Sequence, residues 1–239
     1  MNENKSFGPV VIGAAIIVSA AIFGLFFYFA RTSPTGDSLA VTGSTKTRVT
    51  SDQAKLVIAI SRTALKSSLA SGYEGMAKDA EAVKALLKKD GFEDKDINEV
   101  PVSMTQVFDQ TGPTDRYQFG ESITLQSSEV AKVTDVYKKV TGLSAQGMIV
   151  SVQSLEYYYS KLPDLRVSLL TDAVKDAKTR ATKIAEGTGR RVGEVQSASV
   201  GVVQVVAPNS VDISDYGSYD TSSIEKDVMV TVKASFRLK

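Results

Sequence analysis

The 239 residues contain no cysteine, no histidine and no tryptophan. Without histidine or cysteine there is no Ser-His-Asp triad, no thiolate nucleophile and no imidazole or thiolate metal site. A disulfide is equally excluded, so cysteine usage fits any redox compartment and selects none. Charge of one sign is also missing: 28 Lys and Arg stand against 27 Asp and Glu, a net charge of +1. That balance argues against a nucleic-acid partner, which requires many phosphates to be neutralised. What remains is carboxylate chemistry, a hard cation held by oxygen, or a protein that works through its surfaces.

One long apolar run is present. Residues Phe7 to Ala30 carry no charged side chain. About 20 helical residues cross a hydrocarbon core of roughly 30 Å, so 7–30 are expected to form a transmembrane anchor helix in a lipid bilayer. Residues 1–6 then form a short N-terminal tail. Pro9 suits a first helical turn, Ile12, Ile16, Ile22 and Phe26 would face lipid, and Phe26 to Phe29 form an aromatic cluster at the far end. A cleaved signal peptide fits less well, because its apolar core is about 7–15 residues and ends in small residues, whereas this run ends Tyr28-Phe29-Ala30-Arg31. Lys5 on one side and Arg31, Lys46 and Arg48 on the other do not settle the orientation. Residues 31–38, with Pro34 and Gly36, read as a linker.

The remainder, 39–239, is long enough for one folded unit. Leu39–Val49 and Lys55–Arg62 read as strands joined near Thr50-Ser51-Asp52, the second apolar on both faces. A helix ending near Lys89 follows, with Met76, Ala80, Val83 and Leu87 on one stripe. Val100, Val102, Met104 and Phe108 alternate in a strand that turns at Asp109–Pro113 into a partner carrying Tyr117, Phe119, Ile123 and Leu125. A helix with the stripe Val130, Val133, Tyr137 and Val140 and a strand Met148–Tyr159 complete the order β-α-β-β-α-β, the split ferredoxin-like arrangement. A third, longer helix spans about Pro163–Glu186, with Leu170, Val174, Ala177, Ala181 and Ile184 as its expected buried stripe and Asp176 and Arg180 as an i, i+4 pair. Its alanines allow close approach to whatever it covers. Strand Val192–Val206, a polar loop 207–223 and a C-terminal strand with Val228, Val230, Val232, Ala234, Phe236 and Leu238 alternating end the chain. The fold class expected is α+β: an anchor helix, the split core, then an additional long helix and C-terminal antiparallel strands.

Few features look chemical. The glycines of Gly187-Thr188-Gly189-Arg190-Arg191-Val192-Gly193 close a helix and open a strand, the reverse of a dinucleotide fingerprint, and read as a helix stop. Loop 207–223 bears Asp212, Asp215, Tyr216 and Tyr219, but their spacing is not that of a calcium loop. Its length points to mobility or to an interaction loop. Tyr157-Tyr158-Tyr159 reads as strand packing, with a contact role as the alternative. No local pattern nominates a catalytic pair among the carboxylates. Catalytic, cofactor-binding and metal residues are accordingly expected to be none.

Three segments carry a resemblance: Val41-x-Gly43 with Val49, Asp52 and Ala54; Gly91-Phe92 with Asp96-Ile97; and the helix Asp172-Ala173-Val174-Lys175-Asp176-Ala177-Lys178, Arg180-Ala181, Ile184-Ala185 leading to Gly189 and Gly193-Glu194-Val195. In that order, with the alternating last strand, they resemble the SIMPL-domain (DUF541) family, which includes bacterial oxidative-stress defence proteins and a periplasmic immunogenic protein. Two departures stand out: Asn98-Glu99 where the family often has Gln-Thr, and an apparent retained anchor where many members have a cleavable signal. The resemblance implies an extracytoplasmic protein without established enzymatic activity, some of whose relatives build homo-oligomeric rings or cages and some of which are linked to oxidative-stress tolerance. Any such link here runs without thiol chemistry. The expectation is a single-pass membrane protein whose extracytoplasmic domain, periplasmic or at the cell surface, forms a homo-oligomeric scaffold with a structural or stress-protective role. The alternative is a monomeric module presenting loop 207–223 to an envelope protein partner.

Overall fold

The computed structural model describes residues 8–32, 37–210 and 214–239, with side chains at 12–28 within the first of these segments. The expected tail 1–6 and residues 33–36 of the expected linker 31–38 lie outside the described residues; Arg31 and Thr32 belong to α1 and Ser38 to β1. Helix α1 (Gly8–Thr32) precedes β1 (Ser38–Thr50), β2 (Gln53–Leu65), α2 (Leu69–Lys89), β3 (Ile97–Asp109), β4 (Gly112–Ser127), α3 (Val130–Gly142), β5 (Ile149–Tyr158) and α4 (Leu162–Gly187). Strands β6 (Val192–Val200), β7 (Gln204–Val206), β8 (Ser218–Tyr219) and β9 (Glu225–Leu238) follow. The class is mixed α+β, with four α-helices and two sheets among the described residues.

The first sheet is antiparallel throughout, in the order β3-β4-β2-β5. Helices α2 and α3 cover one face. Met76, Ala80, Val83 and Leu87 of α2 are buried there against Leu56, Ile58, Ile60, Phe119, Ile123 and Leu125, as their alternation and helical spacing predict. Tyr73 meets Phe119 edge to face, 4.9 Å between centroids. Several expectations change. Strand β2 is buried on one face only: Ala54, Leu56, Ile58 and Ile60 are in the core, while Val57 and Ala59 are half-buried on the face without helices. Val100, Met104 and Phe108 are exposed, because β3 is the outermost strand and extends past the helices. In α3, Val136 takes the core position expected of Tyr137, which stays exposed.

Strands β1 and β2 are consecutive but do not pair. Residues 38–50 of β1 run antiparallel to β9, whereas β2 pairs with β4 and β5. The link between them is held from elsewhere: the Ser51 N–H donates to Ile224 O (2.8 Å), and the Asp52 N–H to Tyr158 O (3.0 Å). Those bonds steer the chain from one sheet to the other. The expected strand 192–206 is broken into β6 and β7, both paired with β9.

Helix α4 lies on the second sheet, and here the buried stripe differs from the expected one. Leu162, Leu169, Ala173, Ala177, Ala181 and Ala185 are buried, while Val174 and Ile184 are exposed and Leu170 is half-buried. The four alanines recur every fourth residue, so the contact line drifts around the helix as it crosses the strands obliquely. Close approach explains the choice. A Cβ on Gly43 of β1 would sit 2.2 Å from the Ala173 carbonyl oxygen and 2.7 Å from the Ala177 Cβ. The Asp176 carboxylate then accepts the Ser44 N–H (2.8 Å) on the outer edge of β1 and pairs with Arg180 (2.8 Å).

The side chains of α1 are described at residues 12–28. Ile12, Ile16, Ile17, Ile22, Phe23 and Phe26 are all exposed, and Phe23 stacks on Phe27. Pro9 and Phe29 lie in the helix, but their side chains are outside the described ones. Among the described residues no helix is long and apolar enough to cross a membrane.

Replacing Gly43 by Ala should destabilise the fold by about 3 kcal/mol or more, since neither helix backbone nor strand can yield. Gly120→Ala, whose Cβ would meet only Ser103 Oγ at 3.5 Å, should be neutral or stabilising by up to about 1 kcal/mol. Paired urea melts measure both.

Candidate interaction surface

Loop 207–223 joins β7 to β9 and is built from both ends. At its start Asn209 takes a left-handed conformation (φ 62°), and its N–H donates to the Asp227 carboxylate (3.3 Å). Asp227 is buried and also accepts Arg48 Nε (2.9 Å) and Lys46 Nζ (3.1 Å). The Arg48 guanidinium, ahead of the other donors, holds this carboxyl well below the usual range. At the loop's end the Lys226 side chain is fully buried. Its ammonium donates to the carbonyls of Asp220 (2.5 Å) and Ser223 (2.6 Å) and lies 3.7 Å from Asp220 Oδ2. Burial pushes Lys226 below the ordinary lysine value, with Asp220 opposing. Burial alone would raise Asp220, but Ser222, Ser223 and Lys226 outweigh it and hold that carboxyl low.

Between these anchors the expected loop contains β8, which pairs in parallel with β7 through Gln204↔Ser218 and Val205↔Tyr219. Gln204 Nε2 donates to Ser214 O (2.5 Å), and Gly217 at φ 89° makes the turn into β8. Tyr216, just before it, is 97% exposed. Asp215 is exposed beside it, and Asp212 lies outside the described residues. Tyr219 is drawn away from the tip: its hydroxyl accepts the Tyr159 N–H (3.3 Å) and its ring packs on Tyr158, 6.0 Å between centroids. The two tyrosine-bearing segments are thus brought together through Tyr158 and Tyr219, not through Tyr216.

The tyrosine triplet divides three ways. Tyr157 is buried, its hydroxyl 2.9 Å from Thr134 Oγ1 of α3. Tyr158 donates to Glu156 Oε2 (2.6 Å), and that carboxylate, with burial second, pushes the phenol up to about 12. Tyr159 packs partly against the cluster of Leu162, Leu169 and Val205. Gly187 to Gly193 forms the expected stop, with Gly189 at φ 72°. Among the described residues, no group of three or more acidic side chains is arranged to hold a metal.

One acidic pair escaped the sequence reading. Glu121 stands on the helix-covered face of β4, between Phe119 and Ile123, and is 5% exposed. Its Oε1 has no hydrogen-bond partner. Burial, then the neighbouring Glu99, pushes Glu121 up to about 7. Glu99 is itself held low, chiefly by Lys84 Nζ at 2.8 Å, an ammonium that also meets Glu81 at 2.7 Å. Glu121 therefore holds its proton well above the ordinary carboxylate range, beside the Glu99–Lys84 pair. The visible signal was a charge at an inward position of an otherwise apolar alternation.

Because Glu121 binds its proton more tightly folded than unfolded, its contribution is complete below about pH 4.5 and is lost as pH rises to about 7. Glu121→Gln should remove much of this decline, so its melting temperature should fall less than the parent's between pH 5 and pH 8. Thermal melts at both values measure it.

Residues 39–236 match the model of the SIMPL family, described as a protein of unknown function (DUF541). No curated protein matches the chain.

Proposed function

The chain belongs to the SIMPL family, and from that premise we propose that it is a membrane-tethered, non-enzymatic scaffold of the cell envelope that associates with copies of itself. The described residues alone contain no helix long and apolar enough to cross a membrane, so the tether rests on the full uncharged run Phe7–Ala30, most of which lies in α1. Its backbone is helical over the 25 residues Gly8–Thr32, about 37 Å at 1.5 Å per residue. Among its described side chains, the large apolar ones from Ile12 to Phe27 are exposed. Helices apolar all round are buried in something, and a bilayer suits one that the protein leaves bare. The folded domain sits on the extracytoplasmic side in this reading, as the family resemblance implies. A split β-α-β reading of the first sheet follows from its connectivity, β2-α2-β3-β4-α3-β5, and its strand order.

The scaffold part rests on what the folded unit offers: bare strands and loops with structural ion pairs, such as Asp227 with Arg48 and Lys46. A stress-protective role would come from the assembly, since the chain has no thiol to oxidise. A second reading is favoured by Tyr216, an almost fully exposed aromatic on a loop fixed at both ends. Rigid, exposed tyrosines suit a contact with another envelope protein.

Full-length protein should remain in the membrane pellet after an alkaline carbonate wash, and a variant lacking residues 1–36 should move to the supernatant. Full-length protein recovered in the soluble fraction would overturn the tether. For the second reading, Tyr216→Ala should leave the melting temperature unchanged and abolish co-purification of a partner.

A further inference from the structure

The second sheet has two kinds of edge. On β1 the outward N–H of Ser44 is taken by Asp176, Arg180 lies beside it, and Arg190 pairs with Asp37 just before the strand (2.5 Å). This edge is covered by charge, a common way of blocking further strand pairing. Beyond Glu194 near its start, the described residues of β6 carry no charge. Among the described residues it pairs only with β9. The Gly201 N–H donates to Thr231 O (2.9 Å), and alternation along an antiparallel ladder then turns the N–H and C=O of Ala198 and Val200 away from β9.

We propose that β6 is the strand through which two copies of this chain pair, antiparallel across a two-fold axis near Ala198 and Ser199. This rests on the self-association reading above and names its surface. The run Val195-Gln196-Ser197-Ala198-Ser199-Val200 has no charge and no proline, so neither repulsion nor a missing donor blocks pairing. A two-fold axis brings the residues beside it against their own copies, where any charge would meet its like. An uncharged centre with small side chains therefore suits a second copy better than a charged foreign strand. Val195, Ala198 and Val200 stand opposite Phe236, Ala234 and Val232, hence on the α4 face. Val195 and Val200 are nonetheless 51% and 60% exposed, because α4 leans toward β1. Pairing about this axis places both α4 helices on one side and closes these valines into a shared strip. The covered β1 edge disfavours a head-to-tail β6-to-β1 contact, so the product is a closed pair rather than an open filament.

The absence of cysteine makes the test direct. Ala198→Cys and Ser199→Cys are introduced singly into the full-length protein in detergent, with Thr42→Cys on the covered β1 edge as control. Residues opposite one another across an antiparallel pair have Cα atoms about 4.5–5.5 Å apart, within disulfide reach. Under mild oxidation at least one β6 variant should become mostly covalent dimer, reversible with reductant, while Thr42→Cys should not. Ala198→Pro removes only an outward N–H and should roughly halve the particle mass. Val200→Lys, at an already exposed side chain, should do the same with an unchanged melting temperature. If the particle keeps its oligomeric mass but neither β6 cysteine cross-links and neither substitution lowers that mass, the β6 pairing is wrong and self-association stands. A monomeric parent protein sinks both.

Discussion

The approach of α4 to β1 at Gly43 is the contact on which the second half of the molecule depends. At that spacing there is no room for a Cβ on the strand or for anything larger than alanine along the helix's crossing line. Backbone rather than side chains therefore sets the separation. One result is that Asp176 reaches the Ser44 N–H on the strand's outer edge. Another is that α4 sits over β1 and β9 and leaves β6 bare. Edge cover on one side and openness on the other share one packing geometry.

The two halves are laced rather than merely adjacent. The chain crosses from the second sheet to the first between β1 and β2 and returns between β5 and α4. The segment before β9 closes the gap: Tyr157 donates to Thr221 O (2.8 Å), Ser51 to Ile224 O, and Tyr159 to Tyr219. Asp52 adds a side-chain tie to the Ser160 N–H and hydroxyl. Late residues thus hold early ones, and β1 has no strand partner until β9, the last strand of the chain, is in place.

How much of this was legible depended on how local the cause was. The α2 stripe of Met76, Ala80, Val83 and Leu87 read correctly because that helix lies along a single apolar face. The α4 stripe was right at Ala177 and Ala181 only, because an oblique crossing makes the contact line drift around the helix and selects size rather than hydrophobicity. That is why the alanines at 173 and 185 are buried and Val174 and Ile184 are not. The separation of β1 from β2 was invisible because strand pairing is decided by partners more than 50 residues away. The long loop was marked as a candidate surface from its length and residues; in the fold Tyr219 serves the joint between sheets, and Tyr216, with Asp215 beside it, stands at the tip. Glu121 was readable in principle, as the one charge on the inward side of β4, but 27 carboxylates without a pattern concealed it.

Lys226 performs a task that many loops give to a bound ion. Two carbonyls and a carboxylate converge on a positive charge, but that charge is covalently attached to the strand the loop precedes. Such a counter-ion has no dissociation constant and no competitor. The joint it closes is indifferent to chelators and to the calcium and magnesium content of the surrounding fluid, and it is occupied from the moment β9 docks. A loop held in this way gains constancy across ionic conditions and gives up the option of being switched by metal.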